Sequence, residues 1–285
     1  MHKKAIVTGA NTGLGYEVVK ELVKHNYHVI MGCRDLKRGY LAMDKIILDY
    51  PEARIECMQL DMVDRPTIKR FVDDVLLKFS EIDLVVNNAG VMIPPRTITQ
   101  NGEELQLDTN QHGHFYLNYL LKDNLRKKAK IVIVSSLAHK NKRANIYYDD
   151  ITFKKNYNPF VAYCQSKYAN ALYGMKLVEK LPNTKIIIAH PGVSDTELSR
   201  YMPSYLMFLR PLVKLFMPIS NPSEGAESIV YACLEDLPSG TYVGPQGKDG
   251  WKGKPGITKL SDQALDKKNQ DDFWQYECTL LDIKW

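Results

Sequence analysis

Thr8-Gly9-Ala10-Asn11-Thr12-Gly13-Leu14-Gly15 follows the apolar run Ala5-Ile6-Val7 and leads into Tyr16-Glu17-Val18-Val19-Lys20-Glu21-Leu22-Val23. That order reads as strand, glycine turn, helix. A helix starting there offers free backbone N–H groups and the positive end of its dipole, which suits a pyrophosphate. Glycine permits the tight turn and a close approach to the ligand. The spacing is Gly-x-x-x-Gly-x-Gly. A glycine cluster alone marks an ordinary loop, and its place between a strand and a helix raises it above that reading. The chain is expected to grip a dinucleotide through Gly9, Asn11, Thr12, Gly13, Leu14 and Gly15.

Outward from that turn, apolar runs alternate with helical patterns, the signature of a parallel sheet covered on both faces. The strands are expected at residues 5–8, 28–33, 54–60, 84–87, 131–135, 185–189 and 240–243. The helices are expected at 16–24, 37–48, 66–79, 102–125, 160–181, 223–235 and 262–280. Pro66 suits a first helical turn with Asp64 as its cap. No repeat, low-complexity tract or rich linker interrupts the 285 residues. The expectation is one α/β domain, doubly wound around a mostly parallel seven-stranded sheet. Its cofactor half spans about 1–135 and its catalytic half about 136–285.

Composition limits the functional classes. Hydrophobic content of 45% and charged content of 25% are ordinary for a soluble globular chain. The net charge of +5 comes without a long basic block. The densest cluster, Arg126-Lys127-Lys128 with Lys130, reads as a helix end or loop, so nucleic acid is not an expected partner. Five scattered cysteines without Cys-x-x-Cys argue against a metal site and for a reducing compartment. The first strand starts close to Met1, and Arg210, Pro211 and Lys214 break the apolar stretch 205–217. No signal peptide or spanning helix is therefore expected, and the location is read as cytoplasmic.

Ligands of such sheets bind beyond the carboxyl ends of the strands, and a distinctive residue set gathers there. Arg34, just past the second strand, suits the 2′-phosphate of NADP through its planar fork. Arg38 can assist. Asp35 would favour NAD if it faced the ribose instead. Asp61 can accept from an adenine amino group, with the Met62 N–H beside it, or can serve as a plain cap. Asn88, Ala89 and Gly90 follow Asn87 at the fourth strand end, where small residues allow packing on a cofactor or form a simple turn. Tyr163 and Lys167 lie one turn apart on a helical pattern, and a nearby cation favours the phenolate. Tyr16 and Lys20 share that spacing but read as surface. Ser136 or Ser135 faces the cleft, since side chains alternate along a strand. Asn110 is either a buried helix amide with a partner or an exposed polar residue. Cys164 is a buried structural thiol or a redox group.

Taken together, these residues resemble the short-chain dehydrogenase/reductase family, with its Rossmann-type fold. Thr8-Gly9-x-x-x-Gly13-x-Gly15, Asp61, Asn87-Asn88-Ala89-Gly90, Asn110, Ser136, Tyr163-x-x-x-Lys167 and Pro191-Gly192 occur in the family's order. Gly32-Cys33-Arg34-Asp35, residues 134–139 and residues 162–170 look most like the retinol dehydrogenase and protochlorophyllide reductase-like branch. The resemblance implies that Ser136 orients a substrate carbonyl and Tyr163 donates or accepts the proton. It also implies that Lys167 binds the nicotinamide ribose and lowers the tyrosine, and that Asn110 holds a water of a proton relay. Pro191, Gly192, Val193 and Thr196 would complete the cofactor contacts. It implies NADP(H) rather than NAD(H), and a carbonyl or alcohol as the small-molecule substrate.

The apolar segment 198–218 is expected as a lid, ahead of core packing or contact with a membrane surface. The insertion 140–159 and the stretch 244–255 can border the same pocket. A homodimer through the helices of Asn110 and Tyr163 is a family-level expectation. The rival class is a dinucleotide-responsive binding protein without turnover.

Overall fold

The computed structural model describes residues 2–193 and 220–285. The expected lid and Thr196 lie outside the described residues. Eight strands form one sheet: β1 Lys4–Thr8, β2 His28–Cys33, β3 Arg54–Gln59, β4 Ile82–Asn87, β5 Leu125–Val134, β6 Lys185–Ala189, β7 Tyr242–Pro245 and β8 Pro255–Thr258. Their order is β3-β2-β1-β4-β5-β6-β7-β8. All neighbours run parallel except β7 and β8. The order reverses between β1 and β4, which opens the crevice where ligands of such sheets sit.

The eighth strand is an addition to the expected seven. Pro255-Gly256 pairs antiparallel with Pro245 and Gly244 at the sheet edge. An edge tolerates proline because one side of the strand needs no ladder donor. A second correction concerns Arg126-Lys127-Lys128. These residues begin β5 rather than ending a helix, and the β4–β5 register shifts between Ile82 and Leu84 to accommodate them. Arg126 pairs there with Glu81 and Asp83.

The helices are α1 Gly13–Lys24, α2 Leu36–Asp49, α3 Arg65–Lys78, α4 Leu105–Leu107, α5 Gly113–Leu121, α6 Pro159–Lys180, α7 Pro222–Leu234, α8 Asp262–Leu265 and α9 Lys267–Leu280. Side chains fix their starts. Asp64 accepts from Thr67 N ahead of α3, Asn158 from Phe160 N ahead of α6, and Asn221 forms a capping box with Glu224. The expected helix over 102–125 is shorter and broken. Gly102 has φ +81° in a preceding turn, and Asp108–His112 form a π-turn between α4 and α5. The last expected helix divides at Asp266, whose carboxylate caps α9.

Two apolar layers cover the sheet. Ile6, Ile30, Val85 and Ile131 face α3, α5, α6 and α9, while Val7, Val29, Val86 and Val132 face α1, α2 and α7. Aromatic rings seal α9 onto the first layer. Phe115 lies 4.8 Å from Trp274, 5.1 Å from Tyr173 and 5.1 Å from Trp285, centroid to centroid. No helix among the described residues is long and apolar enough to cross a membrane.

Candidate active site

The glycine turn places its backbone where a side chain would not fit. Gly9 has φ +64°, and a Cβ there would stand 2.9 Å from Ala89 Cα. A Cβ on Gly15 would collide with Gly9 O and lie 2.6 Å from Asn88 Nδ2. Thr12 occupies the cap position of α1 in extended conformation with no side-chain cap bond, and the first turn holds no acidic residue. The opening N–H groups at Gly13, Leu14 and Gly15 are thus without a side-chain acceptor, in a field that favours an anion. Asn11 and Thr12 are half-buried beside them. This cradle fits the pyrophosphate of a dinucleotide.

Thr8 ties the cradle to β4. Its hydroxyl accepts from Asn88 N at 3.0 Å and Ala89 N at 2.8 Å, and donates to His114 Nε2 at 2.9 Å. Asn88 Nδ2 donates to Thr8 O at 2.9 Å. The Asn88 amide therefore shapes the turn, while Gly90 stays exposed with its Cα facing Asn110 Oδ1. At the other end of the crevice, Arg34 is exposed. Asp35 Oδ1 accepts from Arg38 N at 3.1 Å, so that carboxylate caps its own helix α2. Asp61 Oδ1 accepts from Val63 N at 3.2 Å, a local turn bond, and Met62 is buried with its carbonyl against Gly113.

On the catalytic side, β5 ends at two serines with different tasks. Ser135 is buried and donates to Lys167 O at 2.8 Å. Ser136 begins the 3₁₀ turn Leu137–Lys140, accepts from Ala138 N at 3.2 Å, and its hydroxyl also reaches the Tyr163 phenol. Burial pushes that phenol up to about 12, although the Ser136 hydroxyl works in the opposite direction. Lys167 is buried, and burial lowers its ammonium to about 8. Its Nζ donates to Val134 O at 2.9 Å and lies 5.8 Å from the Tyr163 ring centroid. One N–H of the ammonium is held by that strand-end carbonyl, and desolvation is the largest influence on the phenol.

Asn110 sits in the π-turn and is buried, with both amide protons and the carbonyl oxygen hydrogen-bonded. Its Oδ1 accepts from Val91 N at 2.8 Å, and its Nδ2 donates to Val91 O at 3.0 Å and Ser166 Oγ at 2.9 Å. The amide thus clamps the segment after β4 to helix α6. Its backbone carbonyl accepts from Asn170 Nδ2 at 2.8 Å and from His114 Nδ1 at 3.0 Å. Because His114 Nδ1 donates there, its Nε2 must accept from Thr8, and burial keeps this imidazole neutral, down at about 4.

Three supporting groups escaped the sequence reading. His114 lies four residues after Asn110, a helical spacing that offered a signal. His139 donates from Nδ1 to Ser136 O at 2.7 Å and accepts from Ser261 N at 3.3 Å, with burial lowering it to about 4. The buried His112 meets both carboxylate oxygens of buried Glu277, from α9, at 3.0 Å. No sequence signal joins His112 to Glu277. Pro191, Gly192 and Val193 line the end of β6. Gly192 has φ +71°, with no room for a Cβ beside Trp251 O, and Val193 N donates to Trp251 O at 2.9 Å. Cys164 is buried, and burial raises its thiol to about 11.

The short chain dehydrogenase description matches residues 3–148. Retinol dehydrogenase 12 of Homo sapiens is 35% identical, across 99% of this chain and 87% of that one. Polyprenol dehydrogenase of Danio rerio is 34% identical, again across 99% and 87%. A crystal structure of an uncharacterised protein from Mycobacterium paratuberculosis superposes with a TM-score of 0.81 at 31% identity, covering 99% of this chain and 94% of that one. With the cradle at Gly9–Gly15 and the Ser136, Tyr163 and Lys167 patch on one crevice, the chain belongs to the short-chain dehydrogenase family, in its retinol dehydrogenase-like branch.

Proposed function

We propose that this oxidoreductase interconverts an apolar carbonyl compound and its alcohol, using NADP(H) in preference to NAD(H). The observation that carries the chemistry is the Ser136 hydroxyl on the Tyr163 phenol, with Lys167 buried one turn further along α6. Bound in the cradle, the nicotinamide dinucleotide supplies or accepts the hydride. Ser136 holds the substrate oxygen beside the phenol. Tyr163 gives its proton to that oxygen in reduction and takes one back in oxidation. Lys167 contributes a positive charge under the site and braces the end of β5. Asn110 fixes the segment after β4 against α6. Arg34 binds the 2′-phosphate, a reading supported by Asp35 being turned to its own helix.

The apolar substrate class draws on two relatives named for retinol and polyprenol, both long apolar alcohols. The decisive experiment is Tyr163→Phe, assayed with NADPH and a long-chain or retinoid aldehyde. Turnover is expected to fall by about 100- to 10,000-fold, with NADPH affinity kept. Unchanged turnover would overturn the mechanism. The pH profile adds a sign. Reduction needs the phenol protonated and Lys167 charged, so kcat for reduction should decline above the lysine value of about 8. Oxidation needs the phenolate, so it should gain relative to reduction as pH rises. The alternative is a dinucleotide-responsive binding protein without turnover. Tight NADPH binding without reduction of any aldehyde or ketone would select that reading.

A further inference from the structure

Outside the catalytic patch, two thiols converge beneath the first turns of α2. Cys33 ends β2 and Cys57 lies on β3, with Met31 and Cys57 directly paired across the strands. Side chains two apart share a sheet face, so Cys33 and Cys57 point to the same side, diagonal to each other. The opening above them is made by Gly39 of α2. A Cβ there would collide with Cys57 Sγ and would lie 3.1 Å from Cys33 Cβ and 3.3 Å from Cys33 Sγ. The two thiols are within hydrogen-bonding reach, an arrangement that raises the Cys33 thiol and lowers the Cys57 thiol.

Access differs between the two. Cys33 is fully buried, whereas Cys57 is half-buried on β3, the outermost strand of the sheet. A lowered, partly accessible thiol backed by a second sulfur is the arrangement of a sensing cysteine with its resolving partner. The residue that follows Cys33 is Arg34, and Gly39 belongs to the helix that Asp35 caps.

We infer that Cys33 and Cys57 form a redox-modifiable dithiol whose oxidation to a disulfide weakens binding of a phosphorylated dinucleotide at Arg34. The oxidant is a peroxide. The Cys57 thiolate attacks one peroxide oxygen, the O–O bond breaks, and the leaving hydroxide takes the thiol proton as water. Cys57 is then a sulfenic acid. Cys33 sulfur attacks Cys57 sulfur, the S–S bond forms, the S–O bond breaks, and the hydroxyl leaves as water with the Cys33 proton. Two thiols have lost two protons and two electrons, and the peroxide has become two waters. Drawing the sulfurs together moves the end of β2 toward β3 and shifts Gly39, so Arg34 and the start of α2 leave their reduced positions. A small-molecule thiol reverses the change.

The effect on affinity rests on the NADP(H) reading, while the disulfide itself does not. The test treats the purified protein with hydrogen peroxide, maps peptides without reduction, and titrates NADPH by fluorescence before treatment, after it, and after dithiothreitol. The expected result is a Cys33–Cys57 linked peptide, with NADPH dissociation raised roughly tenfold and restored by dithiothreitol. Cys57→Ser should bind NADPH like the parent and ignore peroxide. Absence of the linked peptide would overturn the proposal, and so would a linked protein with unchanged affinity. If the reduced protein binds no NADPH, the cofactor reading fails, and the peptide map still reports on the dithiol.

Discussion

The two ends of the crevice are built by different means. The cofactor end is made of backbone: Gly9 and Gly15 bring main chain within touching distance of Ala89 and Asn88, and α1 starts without a side-chain cap bond. The catalytic end is made of side chains brought together from distant parts of the chain. From the π-turn, Asn110 holds Ser166 and Asn170 of α6, and His112 holds Glu277 of α9. A backbone site is robust to most substitutions and fails at its glycines. A side-chain site is exposed to substitution at every member of its network, including residues far from the chemistry.

Changing Glu277 would probe that contrast most strongly. Glu277→Ala leaves His112 buried without its partner, and a broken buried pair costs about 3–5 kcal/mol. Denaturant melts should show that loss. Burial alone would push the His112 imidazole down, but the Glu277 carboxylate, with Asp108 and Glu103 nearby, holds it above its usual value. The stabilisation is therefore fully present below the unfolded histidine value of about 6.5 and fades as pH rises through the folded value. The gap between parent and variant should be wider at pH 6 than at pH 9. Equal gaps would break the assignment of the charge to His112.

Thr8→Val comes next, because Thr8 belongs to both ends. The isosteric change leaves the half-buried Asn88 N and Ala89 N and the buried His114 Nε2 without this hydroxyl. The expected loss is about 1–3 kcal/mol, with NADPH binding and turnover both weakened. If only one of them changed, the two ends would be more independent than the shared hydroxyl implies. The smallest effect is that of Arg34→Ala. It should weaken NADPH by about tenfold, leave NADH unchanged, and leave stability within about 0.5 kcal/mol, as an exposed side chain should. Equal weakening of both cofactors would sharpen the comparison against a phosphate role for Arg34.

The contrast also explains what the sequence disclosed. Gly9 to Gly15, the Asp64–Pro66 helix start and the alternation of strands and helices depend on neighbours in sequence, so they could be read directly. The pairing of β8 could not, because Pro255-Gly256 becomes a strand only against Pro245 and Gly244. The donors from Asn170 and His114 that meet at one carbonyl of the π-turn come together only in the fold. The burial around the Tyr163 phenol is not encoded in its spacing to Lys167. The position of Asn88 at the end of β4 was legible, while its bond to Thr8 O was not.

The reach between His112 and Glu277 spans 165 residues of chain. A ribosome adding about 5–20 residues per second needs roughly ten to thirty seconds to cover that distance. During this interval β1, α1 and β4 can already meet, while the turn that carries Asn110 still waits for its brace. Each newly made molecule would thus hold a place for the dinucleotide well before its catalytic side is complete, and early ligand could steady the half-made chain.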